Sequence, residues 1–214
     1  MSSSAAPRTR RPSAEVRQLI LDAAERVFTA KGYDGSNTDE IAAEAGVARS
    51  VLYRHFETKS DLFREAVLVP FTDFLREYGS AWRGQVDEPW DDERLMRTMV
   101  ELFYDSFATH RGAILALAMA SDSLDEAANA HLDAELDRFF NTMLMISENE
   151  VHRRAWMSLD GLDLTIRHTL GGIAAQLALG RLFAPRTGAA PTREQVIDHV
   201  TRFTLYGLRM APPS

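Results

Sequence analysis

Apolar residues recur at spacings of three and four along most of the chain, which is the period of amphipathic helices. Val16, Leu19, Ile20, Ala23 and Val27 mark one face of a first helix. It starts after Pro12 with Ser13 as N-cap and Glu15 in the first turn, and it stops at Lys31-Gly32. A turn-rich link at 33–37 follows, and Thr38 then caps a second helix, DEIAAEA, which Gly46 closes after two turns. A third short helix covers VARSVLYRHF. Thr58-Lys59-Ser60-Asp61 has the spacing of a capping box and opens a fourth helix toward Trp82. Ile41, Ala42, Ala45, Val47, Leu52 and Phe56 fall on the inside of this group, and Arg49, Ser50, Tyr53, Arg54 and His55 fall on the outside of the third helix.

From about residue 91 the helical period continues. DDERLMRTMVELFYDSFATH sets Leu95, Met99, Leu102, Phe103 and Phe107 on one broad face, and 111–121 and 124–147 extend the pattern. A shorter helix or turn is expected at 149–156, a long helix rich in small residues at 160–183, and a loop at 186–192. Thr192 can cap the last helix, REQVIDHVTRFTLYGLRM. No strand-like alternation and no internal repeat stands out. The expected fold is all-α. Residues 1–12 are expected to form a disordered basic arm, 13–66 a helix-turn-helix domain and 67–214 a helical body. Two short helices joined by a Gly-containing turn between longer ones carry the middle assignment.

Composition changes this picture in three places. With 45% hydrophobic and 26% charged residues, 214 residues suffice for a real core. The lack of cysteine removes disulfides, thiolate metal sites and Cys nucleophiles. The net charge of −7 argues against a polyanionic partner until its distribution is considered. Residues 1–66 hold ten basic and ten acidic side chains, so the rest of the chain carries the whole deficit. Arg8, Arg10, Arg11 and Arg17 crowd the start. A neutral module with a basic tip can bind DNA, because phosphate contacts are local. The basic start is not followed by the apolar run of a secretory leader, and the longest apolar run, GAILALAMA, falls short of the about 20 residues that span a bilayer. A cytoplasmic location is expected.

Catalytic signatures are missing from the sequence. There is no Glu-x-x-His pair, no His-Glu-x-x-His, no Gly-x-Ser-x-Gly and no Gly-rich phosphate loop. No enzyme, metal or cofactor is expected.

The run ILDAAERVFTAKGYDGSNTDEIAAEAGVARSVLYRHFETKSDLF resembles the N-terminal DNA-binding domain of TetR-family transcriptional regulators. The matching positions are Ala23-Ala24, Phe28, Lys31-Gly32-Tyr33, Thr38, Ile41-Ala42, Ala45-Gly46-Val47, Leu52-Tyr53, His55-Phe56, Lys59 and Leu62, about a quarter of the chain by motif. The resemblance implies a homodimer with a helix-turn-helix head and a helical body that binds a small molecule and dimerises. It implies that Thr38 contacts phosphate and that Arg49, Ser50 and Tyr53 face base edges in the major groove. Arg54 joins this DNA-facing set, Tyr53 and His55 also touch phosphate, and Lys59 reaches the backbone. Two positions depart from the pattern. Ala48 stands where many members carry Ser or Thr, which removes an N-cap worth about 1 kcal/mol. Val51 lacks a hydroxyl often found there. The Arg-rich start is no family requirement and is expected to add backbone or minor-groove contacts.

In the body, Met99, Phe103, Phe107, Met119, Phe139, Met143 and Trp156 suit a pocket for a partly apolar ligand, and they suit an ordinary core equally well. His168 is the polar group expected to point inward. The small-residue stretch around Gly172 and Ile173, with Val196, Val200, Phe203 and Gly207 of the last helix, is the candidate dimer interface. The function expected is a sequence-specific DNA-binding regulator, a homodimeric repressor released from a near-palindromic operator by a small molecule. The alternative is a helical ligand-binding or scaffolding protein without DNA contact. Activation, corepression and ligand-independent regulation stay open at this point.

Overall fold

The computed structural model describes residues 12–85, 90–120, 123–154, 159–183 and 189–209. Among the described residues every regular element is a helix. α1 (Ser13–Lys31) buries Ile20, Ala23, Ala24, Val27 and Phe28. Its cap position is Pro12 rather than Ser13, because the Pro12 carbonyl already accepts the first helical bond, from the Val16 N–H at 3.1 Å. α1 ends at Gly32, whose φ of 72° favours glycine.

α2 (Thr38–Glu44) is capped by Asn37 rather than Thr38; the Asn37 side-chain oxygen accepts from the Glu40 N–H at 2.8 Å. That leaves the Thr38 hydroxyl for another partner. A Schellman turn closes α2: Gly46, at φ 67°, donates to the Ala43 carbonyl, and the Val47 N–H donates to the Ala42 carbonyl. The turn delivers α3 (Arg49–His55) across the group. α4 (Lys59–Phe63) starts at Thr58, whose hydroxyl accepts from the Asp61 N–H and donates to the Asp61 carboxylate.

α4 continues without a break through a π turn, Arg64–Leu68, into α5 (Val69–Gln85). The wide turn stands just before Pro70, whose ring would crowd the carbonyl four residues back in a regular helix. The body then comprises α6 (Asp92–Ala120), α7 (Glu126–Arg154), α8 (Leu162–Ala178), a short α9 (Gly180–Phe183) and α10 (Arg193–Arg209). α7 is longer than the pattern suggested, running on to Arg154, and the segment expected as one helix at 160–183 breaks at Leu179. Thr192 and Gln195 cap α10 reciprocally.

α6 is the spine, packing against α1, α5, α8 and α10. Its approach to α1 depends on Gly112: a Cβ there would overlap Thr29 Cγ2. Arginines tie the body helices together. Arg97 binds Glu101, Glu194 and Asp198, and Arg193 grips Asp105 through two bonds of 2.6 Å. Arg76 and Arg138 both bind the buried Glu135. No described helix is long and apolar enough to cross a membrane.

Candidate nucleic-acid interface and ligand cavity

α3 inserts one side chain, Leu52, into the core and turns Arg49, Ser50, Tyr53 and Arg54 to solvent, with His55 half-buried. The Arg49 Nη1 donates to Asp39 Oδ2 at 2.9 Å, and its guanidinium carbon lies 5.3 Å from the centre of the Tyr53 ring. The Tyr53 hydroxyl shares a 2.9 Å hydrogen bond with Thr38 Oγ1. Hydrogen bonding to Thr38, then to Arg49, draws the Tyr53 phenol below its usual range; the tyrosine and Asp39 raise the Arg49 guanidinium further. Arg54 and His55 occupy the last turn of α3, where the helix dipole favours positive charge. Ala48, at the cap position, has an extended backbone and offers no side-chain bond.

Two of the residues expected at DNA are held internally in the free protein. Thr38 is buried against Tyr53. Lys59 donates to the Ser36 carbonyl at 2.8 Å and lies 4.4 Å from the Tyr33 ring centre, and its partial burial lowers the ammonium's pKa. Lys59 thus fastens the start of α4 to the link before α2.

The body holds a cavity of about 400 Å³ between α5, α6, α7 and α8, within the roughly 300–1,000 Å³ of small-molecule sites. Of the sequence candidates, Phe103, Phe107 and Phe139 line it. Met99, Met119, Met143 and His168 do not. Met99 borders a much smaller space near Trp82, and Met143 is buried beside Gly79. Met119 is 60% exposed and extends toward Gly32 at the end of α1. The His168 ring is exposed and turned back onto the Leu164 carbonyl at 2.7 Å, a local bond that satisfies it without facing inward. Trp156 lies outside the described residues. Residues missed in the sequence include Phe71 and Leu75 of α5 and Leu132, Leu136 and Phe140 of α7. The α7 positions have helical spacing, which identifies a face but not whether that face borders a space. The single charged lining residue, Asp133, is exposed at the rim.

The segment of α6 that lines the cavity with Ile114 and Leu117 also touches the head, through Gly112 at Thr29 and Met119 near Gly32. Just beyond it, Ser123 donates to Asp34 at 2.7 Å, and Ser60 donates to Asp125 at 2.5 Å.

The candidate dimer residues divide. Phe203 is 71% exposed and Gly172 and Gly207 are also outside. Ile173 and Val196 are buried within the chain and Val200 is half-buried against the same core, so these three do not face outward. Tyr206 and Leu164, 60% and 59% exposed, join Phe203 as large apolar side chains left open on α10 and α8.

A family model described as "Bacterial regulatory proteins, tetR family" matches residues 20–66. The HTH-type transcriptional activator FasR of Mycolicibacterium smegmatis is 35% identical over 162 residues, covering 73% of this chain and 72% of FasR. The HTH-type transcriptional regulator EthR of the same organism is 26% identical over 204 residues, 94% of this chain and 91% of EthR. Among solved structures, the transcriptional regulator PfmR from Thermus thermophilus aligns with a TM-score of 0.69 at 22% identity, covering 88% of this chain and 98% of PfmR.

Proposed function

The chain belongs to the TetR family of bacterial regulatory proteins and is a DNA-binding transcriptional regulator; on that premise we propose that it is a homodimeric repressor released from a near-palindromic operator by a small apolar molecule. We assign 13–66 to the DNA-binding head and 67–214 to the ligand-binding and dimerising body. The observation that carries the DNA reading is the face of α3: Leu52 anchors the helix while Arg49, Ser50 and Tyr53 are exposed on the side that would enter a major groove. Thr38, Arg54, His55 and Lys59 supply phosphate contacts, Lys59 by exchanging its Ser36 partner for DNA. Arg8, Arg10 and Arg11 add contacts from the arm.

Two copies pair through the open apolar surface of α8 and α10, centred on Phe203, Tyr206 and Leu164. A symmetric pair presents two α3 helices, hence the inverted repeat. The cavity takes an apolar ligand because its wall is aliphatic and aromatic, with charge only at the rim. A ligand that fits the DNA-incompetent arrangement better lowers operator affinity by its preference between the two arrangements. The shared use of α6 by cavity and head supports that coupling.

The test is selection of double-stranded DNA from a random pool by the full chain, beside Arg49→Ala. An enriched inverted repeat that Arg49→Ala loses or relaxes is expected, together with a solution mass of two 24.0 kDa chains that Phe203→Glu halves. No enriched sequence from ligand-stripped, refolded protein would overturn the DNA reading. Once an operator is known, small apolar compounds can be screened for its release, and Ala174→Phe, which projects a ring into the cavity, should keep operator binding and weaken the response.

A further inference from the structure

We infer that Asp39 is a positioning residue for base reading: it holds the Arg49 guanidinium in one orientation before DNA arrives. The inference rests on the assignment of α3 to the major groove. Arg49 is the first residue of α3 and is exposed, a place where an arginine would ordinarily sample many rotamers. Here it is held from two directions. The Asp39 carboxylate takes Nη1 at 2.9 Å, and the Tyr53 ring supports the guanidinium at 5.3 Å. Tyr53 is itself pinned by Thr38 at 2.9 Å. Thr38 and Asp39 are the first two residues of α2. The first turn of the supporting helix therefore braces the reading residue of the next.

The chemistry suits guanine. A guanidinium carries five N–H groups in a planar fork, so the bond to Asp39 leaves donors that guanine O6 and N7 can accept as a pair. The placement of Asp39 is otherwise unfavourable. A carboxylate on the face that meets phosphates repels them, and α2 has its cap from Asn37 and a second first-turn acid in Glu40. Asp39 thus lowers affinity for DNA in general while sharpening the choice of one base pair. A residue that merely stabilised α2 would act on all sequences in the same direction.

That difference in sign gives the test. Dissociation constants of the full chain are measured for the selected operator, for each single-pair variant of it and for unrelated duplex DNA. The pair read by Arg49 is the one whose preference Arg49→Ala relaxes. Asp39→Asn, which keeps the shape and removes the charge, should cut discrimination at that same pair by about 3–10-fold, part of what one bidentate contact supplies. It should leave the other pairs unchanged and tighten binding to unrelated DNA. In the Arg49→Ala background it should have no further effect at that pair. Asp39→Glu, which retains charge but moves the anchor, should lose discrimination without tightening unrelated DNA, so a folding defect in one variant cannot imitate the result. Unchanged discrimination in Asp39→Asn, or an equal loss at every pair, would overturn the inference. If Arg49→Ala relaxes no pair in an operator that the wild type binds, the base-reading role of Arg49 fails first and the role of Asp39 falls with it.

Discussion

The head and the body hold their helices together by different means. Around α3 the polar links are short in sequence: Arg49 to Asp39 spans 10 residues, Thr38 to Tyr53 spans 15 and Lys59 to Ser36 spans 23. In the body the arginine links reach across the chain, 59 residues from Arg76 to Glu135, 88 from Arg193 to Asp105 and 101 from Arg97 to Asp198. The head is a small set of helices whose ends are specified by local chemistry. The body is a set of long helices whose mutual register must be set by distant partners. A DNA-reading surface benefits from the first arrangement, because its side chains must keep one geometry. A ligand cavity can use the second, because helices held by a few distant clamps can move relative to one another.

The largest effect should come from breaking the head's core. Phe63 is fully buried, edge-on to Phe28 at 5.0 Å and to Tyr33 at 5.1 Å. Phe63→Ala should cost about 3–5 kcal/mol, seen as a lower urea midpoint. All three tryptophans, at 82, 90 and 156, lie beyond the head. Fluorescence should therefore lag behind circular dichroism as the variant unfolds. Coincident transitions would mean that the α1–α6 contact and the continuous α4–α5 rod make the two regions one cooperative unit.

The same division explains what could be read from the sequence. The Schellman glycine, the Thr58 cap and the inward positions 41, 42, 45, 52 and 56 were legible because each depends on neighbours within a few residues. Even the misplaced caps were off by one residue: Asn37 and Pro12 took positions given to Thr38 and Ser13, a choice decided by which carbonyl accepts first. In the body the period of 3.6 identified apolar faces but not what covers them. Met119 and Phe103 look alike in α6, yet one is exposed near Gly32 and the other lines the cavity. Ile173 and Phe203 were grouped as one surface although they face opposite ways. Nothing in the sequence singles out Asp39, because its bond to Arg49 needs the angle between α2 and α3.

A middle-sized effect tests a body clamp. Glu135 is buried between α5 and α7 and accepts from Arg76 and Arg138. The hydrogen bonds of Arg76, with a further contribution from Arg138, hold its carboxyl at about 2, below the ordinary 4.5. Because the folded value is the lower one, the stabilisation is present above the ordinary value and drains away as the pH falls toward 2. Arg76→Ala should lower the urea midpoint at neutral pH, because the buried Glu135 carboxylate keeps only Arg138 as a partner. The gap between wild type and variant should close between pH 4.5 and 2, measured as urea midpoints in a pH series. A gap that persists at pH 2 would mean that Arg76 contributes by packing its stem rather than by charge.

The smallest effect should be a gain in the head. α3 has seven residues, one of them buried, and starts at Ala48 with no side chain to take its free N–H groups. The backbone of Ala48 is already extended, the conformation that a capping serine adopts. Ala48→Ser should therefore add a bond without moving the chain and stabilise the head by about 0.5–1 kcal/mol. Its consequence for binding differs from that of Asp39. A cap stiffens the whole helix, so Ala48→Ser should tighten operator and unrelated DNA by similar small factors, whereas loss of Asp39 changes their ratio. Slower hydrogen exchange at the first-turn amides of α3, with an unchanged preference among operator variants, is the expected pair of results. A changed preference would show that fraying at the start of α3, and not only the hold on Arg49, sets how sharply the helix reads.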